Sequence, residues 1–160
     1  MGRHQDRRAG QAARGAFTLV EILVVVVLVM LLATIAIVQV QRARMATNEQ
    51  LALTNLRLLA KSAQFFYLSN QTVYPTDLTA LGQPTSNPPY VADASLLVVS
   101  PLKQGYQFTY SRLTPTTFTL LADPIAYGST GNRHYLTDQT MDVYYTDSDR
   151  NANTADPTLP

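Results

Sequence analysis

Glu21 stands out because its neighbours are apolar. It is the single ionisable residue between Phe17 and Val38, in a stretch otherwise made of aliphatic residues, Phe, Met and Thr. A carboxylate near a bilayer interior costs roughly 2–4 kcal/mol unless it is paired. The chemistry that Glu21 could carry is therefore an ion pair with a cation from outside this stretch. A carboxyl that stays at the membrane interface is the alternative.

A second group of polar side chains lies near the C-terminus and could bind a metal. Its four candidate ligands carry side-chain oxygens and occur within ten positions, and clusters of oxygen ligands suit the hard cation Ca²⁺. An EF-hand loop would require glycine where the chain has Ala152 and glutamate where it has Thr158, so the segment is not of that type. A polar, disordered tail is the alternative. The candidate Ca²⁺ ligands are Asp147, Asp149, Asn151 and Asp156.

The composition predicts that the protein is not an enzyme. The chain has no cysteine and two histidines, His4 and His134. It therefore has no thiolate nucleophile, no disulfide and no His-rich zinc site. The sequence contains no Gly-rich phosphate loop, H-E-x-x-H or G-x-S-x-G motif. His134 falls in a predicted strand, where a surface or half-buried position is expected.

The charges divide along the chain around the apolar stretch. Residues 1–16 contain four Arg and one Asp, a net charge of 4 − 1 = +3, and the rest contains 8 basic and 10 acidic residues, or −2. At 1.5 Å per residue, residues 17–38 would span about 33 Å, enough for a hydrocarbon core of roughly 30 Å. In membrane proteins, the end of a spanning helix that is rich in Lys and Arg usually lies on the cytoplasmic side. The pattern predicts a single-pass inner-membrane protein with a periplasmic C-terminus.

The string GAFTLVE, residues 15–21, resembles the signal sequence of type IV prepilins and type II secretion pseudopilins. That signal is a short basic leader and a small residue, followed by Phe-Thr-Leu-Ile/Val-Glu at the start of a long apolar helix. The resemblance covers roughly residues 1–45. It implies that prepilin peptidase removes residues 1–16 by cutting between Ala16 and Phe17, and methylates the new Phe17 amine. The alternative is the bond between Gly15 and Ala16, because the family normally has Gly before the cut. It is less favoured because it would make Glu21 the sixth residue of the mature chain and not the fifth.

The resemblance also implies a role for Glu21, which is fifth counting from Phe17. In such filaments the apolar helices form the core, and Glu21 can meet the N-terminal ammonium of a neighbouring subunit. Each charge alone is costly in hydrocarbon, and the pair fixes the axial register. Members of the family often carry Gly and Pro in the apolar half of the helix. This chain has Met30 and Val38 at the corresponding places.

The helix is expected to continue beyond the membrane. Residues 17–69 contain neither Gly nor Pro, which predicts one continuous helix from Phe17 to Ser69. Its second half carries an apolar stripe that should pack against the protein's own globular domain. The predicted division is a leader (1–16), a transmembrane and filament-core helix (17–45) and a globular domain (46–160). The stripe consists of Ala52, Leu56, Leu59, Ala63 and Phe66.

Residues 70–89 are rich in turn-forming residues and connect the helix to the rest of the domain. Tyr74-Pro75 begins a segment that resembles the YP-x-x-L-x-x-L pattern found after the long helix in major pseudopilins. A short helix is predicted from Thr76, as N-cap, to Leu81. It would bury Leu78 and Leu81.

The C-terminal half predicts an antiparallel sheet, because short stretches rich in Tyr, Phe, Val and Thr alternate with turn residues. Together with the long helix, this indicates an α+β fold of the pilin-like "lollipop" type with about four strands. The predicted strands are Tyr106–Ser111, Thr117–Ala122, His134–Thr137 and Met141–Thr146.

These features predict a structural subunit of a type IV pilus or a type II secretion pseudopilus. Its expected partners are copies of itself, other pilin-like subunits, prepilin peptidase, the inner-membrane assembly platform and the membrane. Nucleic acid is not expected, because residues 46–160 carry 6 basic and 9 acidic residues, or −3. The alternative function is a membrane-anchored periplasmic binding or sensing module that keeps its leader.

Overall fold

The structure is a computed structural model that describes residues 17–82 and 89–159. The chain divides into two compact units, Met1–Val38 and Gln39–Pro160. Helix α1 spans Leu19–Ser69 without interruption, which confirms the predicted continuous helix. It begins at Leu19 rather than Phe17 because Thr18 acts as its cap. The Glu21 backbone N–H donates to Thr18 Oγ1 at 3.2 Å.

Helix α1 ends without the glycine that commonly follows a helix. The Asn70 N–H donates to the Phe66 carbonyl at 2.9 Å, and the Thr72 N–H donates to the Tyr67 carbonyl at 3.1 Å. To make this reversal, Gln71 and Thr72 adopt φ values of 53° and 59°. Non-glycine residues rarely occupy that region.

The sheet has five antiparallel strands that neighbour each other in chain order, so it is a simple meander. The predicted number was about four. The additional strand, β1, is short and joins β2 through a two-residue turn, Gln104-Gly105, with φ values of 47° and 76°. Two successive positive φ values are the mark of a type I′ hairpin turn. The strands are β1 (Leu102–Lys103), β2 (Tyr106–Thr114), β3 (Thr117–Pro124), β4 (His134–Asp138) and β5 (Val143–Thr146).

The last strand begins later than predicted because a tight turn precedes it. Asp138 Oδ1 accepts hydrogen bonds from the backbone N–H and the hydroxyl of Thr140, at 2.8 and 2.6 Å. Met141 then adopts a φ of 70°, which a strand cannot accommodate. The chain therefore enters β5 at Val143 and not at Met141.

The core lies between one face of the sheet and one face of α1. Register pairs such as Phe108↔Ala122 and Tyr110↔Leu120 place buried residues of neighbouring strands side by side. Four residues of the predicted helix stripe are fully buried, and Phe66 is partly buried. A fully buried Leu contributes roughly 1.5–3 kcal/mol, so this contact contributes much of the domain's stability. The buried stripe residues are Ala52, Leu56, Leu59 and Ala63.

The segment after α1 is fixed to the sheet by Tyr74 and Pro75. The Tyr74 N–H donates to the Pro115 carbonyl at 2.8 Å, and the Tyr110 hydroxyl donates to the Pro75 carbonyl at 3.0 Å. The Tyr74 ring lies 4.7 Å from the ring of Phe118, centroid to centroid. These contacts place the start of the segment against the β2–β3 hairpin.

The short helix that follows differs from the prediction in type, start and cap. It is a 3₁₀ helix, Leu78–Gly82, rather than a helix from Thr76 to Leu81. Its cap is Asp77, whose Oδ1 accepts from the Thr79 N–H at 2.8 Å, because a carboxylate is a better acceptor than the Thr76 hydroxyl. The predicted burial of Leu78 and Leu81 is confirmed. The helix and meander together confirm the α+β fold class.

Candidate functional site

The first part of α1 presents an exposed apolar surface. Every residue from Phe17 to Arg44 is exposed, and the large apolar side chains range from 44 % exposed at Val26 to 82 % at Leu19. The most apolar window of α1 has a mean hydropathy of 3.1 and contains no buried residue. A protein in water rarely exposes so much contiguous apolar surface, and such surfaces are typical of membrane or protein interaction sites. By length and composition the helix can cross a membrane.

Glu21 lies in the first turn of this helix, where backbone N–H groups and the helix dipole favour a negative charge. Thr18 and Glu21 have the Thr-x-x-Glu spacing of a capping box, and the bond from the Glu21 N–H to Thr18 Oγ1 forms one half of it. The Thr-x-x-Glu spacing is the sequence signal from which this cap can be predicted. In the part of the chain that the structure describes, Glu21 has no ion pair.

The predicted cleavage site lies at the edge of the described residues. Phe17 is described and is 75 % exposed. Gly15 and Ala16 lie outside the described residues, so the structure bears on neither candidate bond. Cleavage and methylation at Phe17 stay predictions.

Two of the four candidate Ca²⁺ ligands are held by arginines. Asp147 Oδ1 accepts from Arg133 Nε at 3.0 Å, and this bond raises the pKa of Arg133. Asp156 pairs with Arg150 and also accepts from the Asn153 N–H at 2.8 Å. The hydrogen bonds from Arg150 and the Asn153 N–H lower the pKa of Asp156 to about 2.

The other two candidates are exposed and are not drawn into the same pairs. Asp149 has no side-chain hydrogen bond within the described ranges, and Asn151 contributes only its backbone carbonyl, to Arg150 at 2.9 Å. Among residues 17–82 and 89–159 no group of three or more His, Asp or Glu residues is arranged to hold a metal. The calcium site stays a prediction, and the arginine pairs are an alternative role for two of its residues.

The C-terminal segment is packed on the sheet, so the alternative of a disordered tail is wrong. The Leu159 N–H donates to the Val143 carbonyl at 2.8 Å, and the Tyr145 N–H donates to the Pro157 carbonyl at 3.0 Å. Ala152 is buried. Residues 157–159 therefore run beside β5 and cover its free edge, which otherwise invites pairing with another chain.

His134 is more buried than predicted, with 6 % of its surface exposed. Its Nδ1 lies 2.7 Å from Asp123 Oδ1, which ties β4 to β3. The Tyr127 ring stacks on the imidazole with centroids 5.9 Å apart. Asp123 satisfies Nδ1, while Nε2 is buried and has no hydrogen-bond partner among the described residues.

No family model, curated protein or solved structure matches the chain. The geometry supports a coarse description. The first half of the N-terminal helix is apolar and exposed, and the helix is long enough to cross a membrane. The C-terminal half of the chain is an antiparallel sheet that packs on the second half of the helix.

Proposed function

We propose that this protein is the precursor of a filament subunit of the type IV pilin class, either in a type IV pilus or in a type II secretion pseudopilus. The observation that carries the proposal is the exposed apolar surface of α1 with one carboxylate, Glu21, in its first turn. A membrane anchor alone requires the apolar surface, and there the carboxylate would serve only as a favourable negative charge in the first turn of the helix.

The position of Glu21 suits a pair between subunits. Cleavage before Phe17 would create an ammonium at the helix N-terminus, where the helix dipole disfavours positive charge. A carboxylate from a neighbouring helix would compensate this charge. Because Phe17 and Glu21 are four residues apart, such a pair sets the axial displacement between two helices.

The proposal includes a processing and assembly route. Prepilin peptidase would remove the leader and methylate Phe17, and an inner-membrane platform would add the subunit to a filament with copies of itself and other pilin-like subunits. Before assembly, the chain would lie in the inner membrane with residues 46–160 in the periplasm. The net charge of −3 on these residues opposes nucleic acid as the main partner.

N-terminal sequencing of the full chain, co-expressed with a prepilin peptidase, tests the proposal. A mature chain that begins at Phe17 supports it, and a chain that begins at Ala16 identifies the alternative bond. An Ala16→Leu variant is the control, since a bulky residue before the cut should block processing. If the wild-type chain keeps its leader, the membrane-anchored binding or sensing module is the better description.

A further inference from the structure

The loop between β3 and β4 packs beside α1, a few residues after the apolar stretch of the sequence ends. The Asn48 side-chain amide donates to the Thr130 carbonyl at 3.0 Å, which fixes the loop to the helix. A cleft of about 300 Å³ lies between the loop and α1, within the unit Gln39–Pro160. Its lining residues are Gln41, Arg44 and Met45 from α1, and Gly128 and Ser129 from the loop.

The cleft carries a positive charge. Arg44 lines it and is exposed, and no lining residue is acidic. Residues 22–48 contain Arg42, Arg44 and no other charged residue. Neither arginine forms an ion pair with any residue in the described ranges. Glu49 is five residues from Arg44, about 140° around the helix, and accepts from the Asn132 N–H, so it supplies no counter-charge to the cleft.

Three hydrogen-bond donors of different kinds line the cleft. They are the guanidinium of Arg44, the carboxamide of Gln41 and the hydroxyl of Ser129. Gln41 and Arg44 are three residues apart and share a face of α1. No atom lies within 4 Å of the place that a Cβ on Gly128 would take, so this part of the loop leaves space. Several donors around one cation favour an anion with several acceptor oxygens, such as a phosphate group.

The position of the cleft along α1 suits the headgroups of a bilayer. Arg44 follows Val38, the last residue of the apolar stretch, by six residues, or about 9 Å of helix. The headgroup layer on each side of a bilayer is roughly 5–7 Å thick. Side chains on a helix tilt towards its N-terminus, which is here the direction of the membrane. The guanidinium therefore reaches the headgroup layer when residues 17–38 lie in the hydrocarbon core.

The same loop exposes apolar side chains, which a free phosphate ion would not contact. Ile125 is 56 % exposed and Tyr127 is 41 % exposed. Tyrosine is common at membrane–water interfaces, and the Tyr127 ring is held by stacking on His134. The combination of a positive cleft and apolar groups favours a phospholipid. Because the lining offers no acid for the ammonium of a zwitterionic headgroup, an anionic phospholipid fits best.

We infer that the cleft between α1 and the β3–β4 loop binds the phosphate of an anionic phospholipid on the periplasmic side of the membrane, before the subunit enters a filament. The inference rests on the proposed function, which places the globular domain on that side. Arg44 pairs with the phosphate, and Gln41 and Ser129 donate to its other oxygens. Arg42 lies about 200° around the helix from Arg44 and is not part of the site.

Fluorescence quenching by spin-labelled lipids tests the site in the full-length chain, which has no native cysteine. The exposed loop residue Ala126 is replaced, and the Ala126→Cys variant is labelled with a fluorophore. It is reconstituted in phosphatidylcholine vesicles that contain a small fraction of spin-labelled phosphatidylglycerol or of spin-labelled phosphatidylcholine. Quenching by the anionic lipid should be severalfold stronger. The labelled Gln139→Cys variant, with its fluorophore in the turn at the other end of β4, should show little quenching by either lipid.

Two arginine variants separate a specific site from general attraction. Arg44→Gln should lower quenching by phosphatidylglycerol to the level of phosphatidylcholine, because it removes the charge that holds the phosphate. Arg42→Gln is the matched control. It removes the same charge two residues away on the other side of the helix, so it should leave the quenching unchanged. Equal losses in the two variants would overturn the inference, because anionic lipid would then be attracted by the charge of the helix as a whole.

Inorganic phosphate distinguishes the two sources of the phosphate group. Compared with chloride at equal ionic strength, which screens charges to the same extent, it should not reduce quenching by phosphatidylglycerol. A reduction in phosphate alone would identify a site for the free ion and overturn the lipid assignment.

The outcomes also separate this inference from the proposed function. Equal quenching of the Ala126→Cys label by both lipids would eliminate the lipid site and leave the filament function standing. If N-terminal sequencing shows an uncleaved leader, the filament function fails. The vesicle measurement then still decides the lipid site, because it requires only the inserted chain.

Discussion

The hydroxyl of Tyr106 lies where a side chain at position 131 would have to be. A Cβ on Gly131 would be 2.1 Å from this oxygen. The hydroxyl cannot move freely, since it donates to the Arg133 carbonyl at 2.9 Å and its ring is fully buried. Gly131 is therefore required by the close approach of Tyr106.

We expect Gly131→Ala to lower the free energy of unfolding by about 1–3 kcal/mol, because the methyl group displaces the Tyr106 ring in a packed core. Denaturant unfolding of the purified protein, followed by near-UV circular dichroism, measures this loss. Gly128→Asn is the control. Gly128 has a φ of 78° but no atom within 4 Å of a built Cβ, and Asn tolerates that conformation. Equal losses in the two variants would show that steric contact with Tyr106 is not the cause.

Glu21→Ala should leave membrane insertion and cleavage largely intact while lowering filament assembly or Phe17 methylation. The cap on α1 survives the substitution, because Thr18 accepts from the backbone N–H of residue 21 and not from its side chain. Filament yield in the sheared fraction and mass spectrometry of the N-terminus measure the two effects. Glu21→Gln keeps the side-chain size and removes the charge, so it should reproduce the loss. Wild-type yield from both variants would contradict the pairing role.

Residue-scale sequence reasoning succeeds where the neighbours along the chain decide the environment. Glu21 is noticeable because the residues around it are apolar, and the structure places it in the exposed first turn of α1. It does not reveal the partners of Asp147 and Asp156, which are arginines 14 and 6 residues away along the chain. The spacing of oxygen ligands contains no information about which cation reaches them first.

Among the elements, α1 is the most predictable, because uninterrupted helix formers and an apolar stripe are both local signals. The two-residue β1 cannot be recognised by alternation, which needs at least four residues. Only its Gln-Gly turn indicates it. The short helix at Leu78 is displaced because Asp77 competes with Thr76 as a cap. Asp is the stronger N-cap of the two, so this displacement follows from a residue preference that the sequence already contains.

The buried tyrosines of β2 and β4 should make the domain sensitive to alkali. Burial raises the pKa values of Tyr106 and Tyr110, and raises that of Tyr135 to about 12. In the unfolded chain a tyrosine titrates near pH 10. Above about pH 10 the unfolded chain releases protons that the native state retains, so stability falls as pH rises; below it the contribution is fully present.

Denaturant midpoints at pH 8, 10 and 11 should show this loss, and Tyr135→Phe should reduce its steepness. Tyr144→Phe on β5 is the control, because Tyr144 is half-buried rather than fully buried. A midpoint that stays constant up to pH 11 would contradict the expectation.

The C-terminal segment should depend on the pair between Asp156 and Arg150. With the pKa of Asp156 at about 2, the pair is fully present above about pH 4 and is lost as the pH falls through 2. Asp156→Asn should expose residues 147–159 to limited proteolysis at neutral pH, while Asp149→Asn should not. Millimolar CaCl₂ compared with EDTA provides a second measurement. A higher melting temperature in calcium would support the metal site instead of the arginine pair.

At the scale of the whole molecule, the fold class follows from the order of the patterns, a long helix and then short alternating strands. What the patterns do not give is the position of the C-terminal segment beside β5. Its two backbone bonds, from Leu159 and to Pro157, involve residues without any strand signal. Backbone hydrogen bonds at a sheet edge accept almost any side chain, so such docking leaves little trace in the sequence.

The core residues imply that the globular domain folds without the first 45 residues. The buried hydrophobic cluster extends from Ala52 to Val143, and no residue from Phe17 to Arg44 is buried. A chain that begins at Ala46 retains the helix stripe, all five strands and roughly 115 residues, enough for one hydrophobic core. We expect it to unfold cooperatively in denaturant and to give the near-UV circular dichroism of the full chain in detergent.

Removal of a further turn and a half, with a start at Ala52, is the matched comparison. It eliminates Asn48, whose side-chain amide donates to the Thr130 carbonyl at 3.0 Å, and Glu49, which accepts from the Asn132 N–H. The shorter chain should therefore be less stable by about 1–3 kcal/mol, as expected for two lost tertiary hydrogen bonds. A molten Ala46 fragment, with helical far-UV signal but no near-UV signal, would mean that the domain takes its order from residues 1–45 or from the assembled filament.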